Sequence, residues 1–112
     1  MTHITDTLTI SATRLMDLSR EVLLQLGEWQ YHRHLTVHAS NHQGDAPSVF
    51  VTLSQDADEL SRRDFIDAFS MAMDVPVRTF EDGAGWLLVV PIPDYDSTGV
   101  TVSASVSVGG AR

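Results

Sequence analysis

Hydrophobic residues along this chain follow three kinds of spacing, and each predicts a different element. Between Ser11 and Leu26, the residues Leu15, Leu18, Val22 and Leu26 recur at three- and four-residue steps, and Met16 and Leu23 widen the stripe. Arg14, Asp17, Arg20 and Glu21 lie off it. The segment reads as an amphipathic helix packed on a core, with Ser11 as N-cap and Gly27 as the C′ residue. A second helical stretch is predicted from Ser61, taken as N-cap, with Asp64 at N3 and Leu60 placed to staple onto Phe65. Its apolar face is Phe65, Ile66, Phe69, Ala72 and Met73, and Pro76 forces an end soon after Asp74.

The second kind of spacing is strict alternation, the mark of a half-buried strand. From Trp29 to Ala39, Tyr31, Arg33, Leu35, Val37 and Ala39 share one face, while His32, His34, Thr36 and His38 share the other. Across a loop at residues 40–47, Ser48–Ser54 turns Val49, Val51 and Leu53 inward and Phe50 and Thr52 outward. These two stretches predict an antiparallel hairpin with a long loop. Val77–Glu81 is read as a further strand, and Val100–Val108 as another that alternates cleanly between apolar and hydroxyl side chains. A short strand at Thr7–Ile10 is a weaker signal of the same type.

The third spacing is no spacing at all. Trp86-Leu-Leu-Val-Val90 is apolar at every position and is bounded by Gly85 and Pro91. Five residues are too few for a helix, and an unbroken apolar run asks for cover on both faces. It is therefore expected to be the central strand, following a turn at Asp82-Gly-Ala-Gly85. The order α-β-β-α-β-β-β predicts an α+β fold with two helices packed on one face of a four- to five-stranded, mainly antiparallel sheet. One domain spanning 1–112 is expected, with residues 1–6 and 109–112 frayed at its ends.

Composition narrows the function more than the fold. The formal charge is −8, from 15 acidic and seven basic residues, and every basic residue is an arginine. That field repels phosphate backbones and anionic membranes, so direct nucleic-acid binding is disfavoured and a basic protein surface is the better-matched partner. No apolar run approaches the roughly 20 residues of a membrane span. The N-terminus lacks the positive-then-apolar order of a secretion signal, so a cytoplasmic protein is expected. There is no cysteine, which removes disulfides, thiol nucleophiles and thiolate metal sites. The arginine-only basic set, with abundant Ala, Val, Asp and Thr, suggests a high-GC bacterium, and a phage or mobile element as one source.

Candidate chemistry gathers in three places. His32 and His34, two apart with the same parity, could share a metal, but His38 would lie roughly 13 Å beyond His34 at ~3.3 Å per strand residue, too far to join them without a bulge. The plainer reading is a row of solvent-facing imidazoles; titrating together near pH 6, they would also change the charge of a contact surface. Asp94-Tyr-Asp96-Ser-Thr98-Gly99, following an apolar strand, resembles the haloacid-dehalogenase phosphotransferase signature. That resemblance would make Asp94 the nucleophile and Asp96 the acid/base beside magnesium. The chain departs from it in the prolines Pro91 and Pro93, in having no βαβ units after the motif, and in having no lysine. The same loop resembles the opening of an EF-hand, but Ser105 stands where the twelfth-position Glu belongs. Finally, acids from Asp56 to Asp74 surround the second helix, either as a solvated face or as a phosphate-like array.

The expected function is a small, acidic, non-enzymatic protein-binding domain of adaptor, chaperone-like or regulatory type, without a cofactor. In size, acidity and helix–hairpin order the chain resembles type III secretion chaperones, which implies an acidic dimer; the resemblance lies in architecture and carries no residue motif. Its expected contact surface is the open sheet face with His32, His34, His38, Phe50 and Trp86. Homodimerisation is expected through that face or an edge strand. The alternatives are an acidic nucleic-acid mimic that inhibits a defence nuclease, and a metal-binding protein using His32 and His34.

Overall fold

The computed structural model describes residues 10–41 and 46–109. Its elements are α1 (Ala12–Gln25), a 3-10 turn (Gly27–Tyr31), β1 (Leu35–Ser40), β2 (Ser48–Leu53), α2 (Glu59–Met73), β3 (Arg78–Asp82), β4 (Gly85–Ile92), a second 3-10 turn (Tyr95–Ser97) and β5 (Thr101–Gly109). The five strands form one sheet in the order β1-β2-β5-β4-β3, and every pairing is antiparallel except β2 with β5. This is the α+β architecture and element order expected from the spacing of apolar residues. The expected strand at Thr7–Ile10 lies largely outside the described residues. So do the frayed ends, apart from Gly109, which closes β5.

α1 begins where the polar pattern places it. The Ser11 hydroxyl accepts the Arg14 N–H at 3.0 Å, and Gly27 takes φ 62 just past the helix end. Past that glycine the chain tightens into the 3-10 turn instead of extending at once. Trp29 is held there because its ring stacks on His32 at 5.6 Å and meets Phe65 edge-on at 5.5 Å. The first strand is therefore shorter than the expected Trp29–Ala39 and leaves Tyr31 and Arg33 outside the sheet.

α2 starts earlier than its sequence suggests. Asp58, with extended backbone, is the N-cap, and its Oδ1 accepts the Ser61 N–H at 2.7 Å. Ser61 thus sits inside the first turn, and Leu60 is 69% exposed, so no staple onto Phe65 forms. A carboxylate caps about as well as a serine, and its charge suits the helix N-terminus. At the other end Asp74 closes the helix at φ 56.

One core joins both helices to one face of the sheet. Leu15, Leu18 and Val22 of α1 and Phe65, Ile66 and Phe69 of α2 pack on Val49, Val51, Leu53, Val90 and the even residues of β5. Val102, Ala104, Val106 and Val108 all lie at 3% exposure or less, so β5, like β2, is fully covered on this face, and it takes the middle of the sheet. β4 was expected to hold the centre, but it lies one place from the edge, between β5 and β3. Only Val90 of its apolar run is fully buried, and Trp86 is 44% exposed. Pro91 continues β4 opposite Ser103 instead of ending it. β3 pairs only as far as Val89, so the missing N–H of Pro91 falls where β4 has no neighbour on that side.

Candidate functional site

The face opposite the helices is built by parity. Inward Val49 and Val51 on β2 force Phe50 and Thr52 outward, and the register His38↔Phe50 brings the imidazole beside the phenyl ring. Their rings stack at 6.4 Å and 28°. Phe50 pairs in turn with Ser103, and Ser103 with Pro91. The small Ser103 is 9% exposed although no helix among the described residues lies above it, since larger Phe50 and Pro91 flank it. One register step further, Ser105 faces Val89; two steps further, Ser107 faces Leu87, and Leu87 faces Phe80 on β3.

The outcome is a face with Phe50 on one side, Phe80, Leu87, Val89 and Pro91 on the other, and a row of β5 hydroxyls between them. Phe50 and Phe80 are 46% and 49% exposed. Among the described residues, no helix covers this surface. Thr52 binds it internally, its hydroxyl donating to the Ser105 carbonyl at 2.5 Å across the parallel pair. That one face of the Trp86–Val90 run could join this surface is legible in the sequence, but which of its residues do so is not, because a run that is apolar at every position carries no sign of which residues face which way.

The expected site residues are divided by this geometry. His38 and Phe50 share the open face with Thr36. Trp86 does not: it pairs with Val108, an inward residue, and so lies on the helix side at the far end of the sheet. There it flanks Gly109, where an added Cβ would meet its Cδ1 at 3.5 Å. His32 and His34 precede β1 and wall a shallow, open groove of about 400 Å³ against Asp56, Asp58 and Ser61. Their ring centroids are 5.7 Å apart, but Nδ1 of His32 accepts the His34 backbone N–H at 3.2 Å, which engages one of its two nitrogens. No group of three or more His, Asp or Glu among the described residues is arranged to hold a metal ion.

The Asp94–Gly99 loop is organised by its tyrosine. Tyr95 is buried, its hydroxyl accepts the Gln25 side-chain N–H at 2.8 Å, and burial pushes its pKa upward, helped by the Asp96 and Glu21 charges. Asp94 Oδ1 accepts the Gly99 N–H at 2.7 Å, so this carboxylate closes the loop on itself. β4 stops at Ile92, short of the motif, and the loop leads into a strand, not a helix.

Comparison with protein-family models, curated proteins and solved structures finds no match of any of the three kinds. The chain's own geometry is what bears on its function. No helix among the described residues is long and apolar enough to cross a membrane.

Several acids around α2 have structural duties. The Ser61 N–H holds the Asp58 carboxyl below its ordinary 3.8. The Gly109 N–H, with Arg63, holds Glu59 below 4.5 by tying the start of α2 to the end of β5. Groups whose folded pKa is depressed contribute stability that is present above the unfolded value and lost as pH falls through the folded one. Urea midpoints are therefore expected to hold steady at neutral pH and to fall once pH drops below about 4.5. Glu59→Gln should flatten that acid limb, and an unchanged limb would show that this tie contributes nothing.

Proposed function

We propose that this chain is a small, non-enzymatic protein-binding domain whose open sheet face docks a partner protein. The observation that carries the reading is the apolar half of that face, with exposed Phe80 beside half-buried Leu87, Val89 and Pro91, which no helix among the described residues covers and which faces Phe50 across a row of hydroxyls. Apolar side chains set among polar ones on an open sheet are what a docking surface offers, since the partner removes the apolar area from water and satisfies the rim. The charge of −8 favours a partner with a basic rim around its own apolar centre. Acid mimicry of nucleic acid is less well supported: Asp58 caps α2, Glu59 ties it to β5, and Asp74 closes it.

A photo-crosslinking phenylalanine at position 50 or 89, expressed in the source cells, is expected to capture one predominant protein. The same probe at Met71, 81% exposed on α2, should capture none. Capture from Met71 alone, or from none of the three positions, would remove the proposal. The reading also sets the domain in the cytoplasm, and a tagged chain that fractionates with membranes or medium would count against that part.

A further inference from the structure

β3 is an edge strand, and all five of its residues are exposed. Its inner side pairs with β4 in the register Arg78↔Val89 through Asp82↔Gly85, closed by a two-residue turn in which Gly83 takes φ 64. The closing pair of such a hairpin is hydrogen-bonded, and bonded and non-bonded pairs alternate from there. Asp82, Phe80 and Arg78 therefore turn their backbone groups toward β4, while Thr79 and Glu81 turn theirs outward, unpaired by any strand among the described residues. Among the described residues neither Arg78 nor Asp82 has an ion-pair partner.

We propose that two copies of this chain pair antiparallel through β3, with the two-fold axis at Phe80, to form one continuous ten-stranded sheet. The register follows from symmetry and charge. A two-fold relating neighbouring antiparallel strands stands normal to the sheet and keeps like faces together, so it must pass at a residue and not between two. Centring on Arg78, Glu81 or Asp82 sets a charge against its own copy. Centring on Thr79 opposes Arg78 to Phe80 and draws Pro76, which has no N–H, into the ladder. Centring on Phe80 is the one choice that opposes Arg78 to Asp82 of the second copy, and it does so twice.

The same register matches the backbone. Thr79 of one copy faces Glu81 of the other, and these are the residues whose N–H and C=O groups point outward. Phe80 meets its own copy in the close, non-bonded position where side chains touch best. Arg78, Phe80 and Asp82 all lie on the open face, so the two apolar halves around Leu87 and Val89 become neighbours across the axis. β1, the other edge, carries no pair of opposite charges from Leu35 to Ser40 and offers no such match. The inference does not depend on what docks against the open face.

Charge exchange tests the register directly. Sedimentation velocity over a concentration series is expected to show a concentration-dependent dimer of the full chain. Arg78→Asp and Asp82→Arg, each alone, turn two attractive contacts into two repulsive ones and should weaken the dimer by roughly 10- to 100-fold. The combined R78D/D82R variant should restore it. Both sites are exposed, so circular dichroism should show the fold unchanged in all three variants. A wild type that stays monomeric, single exchanges without effect, or a double exchange that fails to recover the dimer would each overturn the proposal. None of these variants alters Phe50 or Val89, so a failed dimer and a failed docking face remain separate results.

Discussion

Phe65→Ala is expected to lower the stability of the fold by about 3–5 kcal/mol, the range for deleting a buried phenyl ring and leaving a cavity. Domains of this size are stable by only ~5–15 kcal/mol, so the loss takes a large share of the total. Phe65 has no exposed surface and touches three parts of the molecule at once. Its ring meets Trp29 of the 3-10 turn edge-on at 5.5 Å and Phe69 of its own helix at 6.2 Å, and it packs into the core beneath the sheet. Without it, Trp29 loses one of the two ring contacts that hold the chain in a turn after α1, and the entry to β1 is loosened. The melting temperature should fall by roughly 12–20 °C. Phe65→Leu, which keeps most of the volume, should cost about 1–2 kcal/mol. Chemical denaturation of the three proteins checks the pair; a loss below about 1 kcal/mol for the alanine variant would mean the site collapses and fills itself.

The second large effect belongs to a polar residue. Arg62, on the first turn of α2, donates from Nε to the Ser107 carbonyl at 2.8 Å, and its NH1 group donates to the carbonyls of Gln55 and Ala57. One guanidinium thereby joins the end of β5, the loop after β2 and the start of the helix. Each is a charge-assisted bond, and removing the donor leaves partly buried carbonyls without partners. Arg62→Ala is expected to destabilise by about 2–4 kcal/mol. Arg62→Lys should recover less than half of this, because an ammonium cannot reproduce a planar fork that serves several acceptors. If lysine restores full stability, the residue acts as a charge and not as a geometric clamp.

Neither the part played by Arg62 nor the choice of which β4 residues turn to the open face is marked by the residue pattern. Arg62 lies beside Arg63 in a helix with many charges, and nothing local separates the one that reaches into carbonyls from its neighbour, which pairs with Glu59 on the surface. Phe50, His38 and Thr36 were legible as companions on one face because β1 and β2 alternate strictly and a two-residue period leaves no freedom. Trp86, expected on that face, lies on the other for the opposite reason. Trp86–Val90 is apolar on both faces, so only its pairing with β5 decides that Trp86 looks toward the helices and Leu87 and Val89 away from them.

The start of α2 shows the same limit at short range. Ser61 and Asp58 are both acceptable caps, and a local pattern cannot choose between two that lie three residues apart. The choice falls to Asp58 because the first turn must reach the end of β5, where Glu59 accepts the Gly109 N–H and Arg62 donates to the Ser107 carbonyl.

By itself, the order of residues determined the succession and kind of the helices and strands and which side of each alternating strand turns inward. Those are properties of neighbours two, three or four positions apart, and helix and strand geometry translates them directly into faces. Strand order was settled only in three dimensions. That β5 and not β4 takes the middle, and that β2 and β5 run parallel, depends on which strands meet across the intervening helix. No segment's own pattern records its partner, so the centre of the sheet, and with it the open face and the free edge at β3, emerges only when all five strands are assembled.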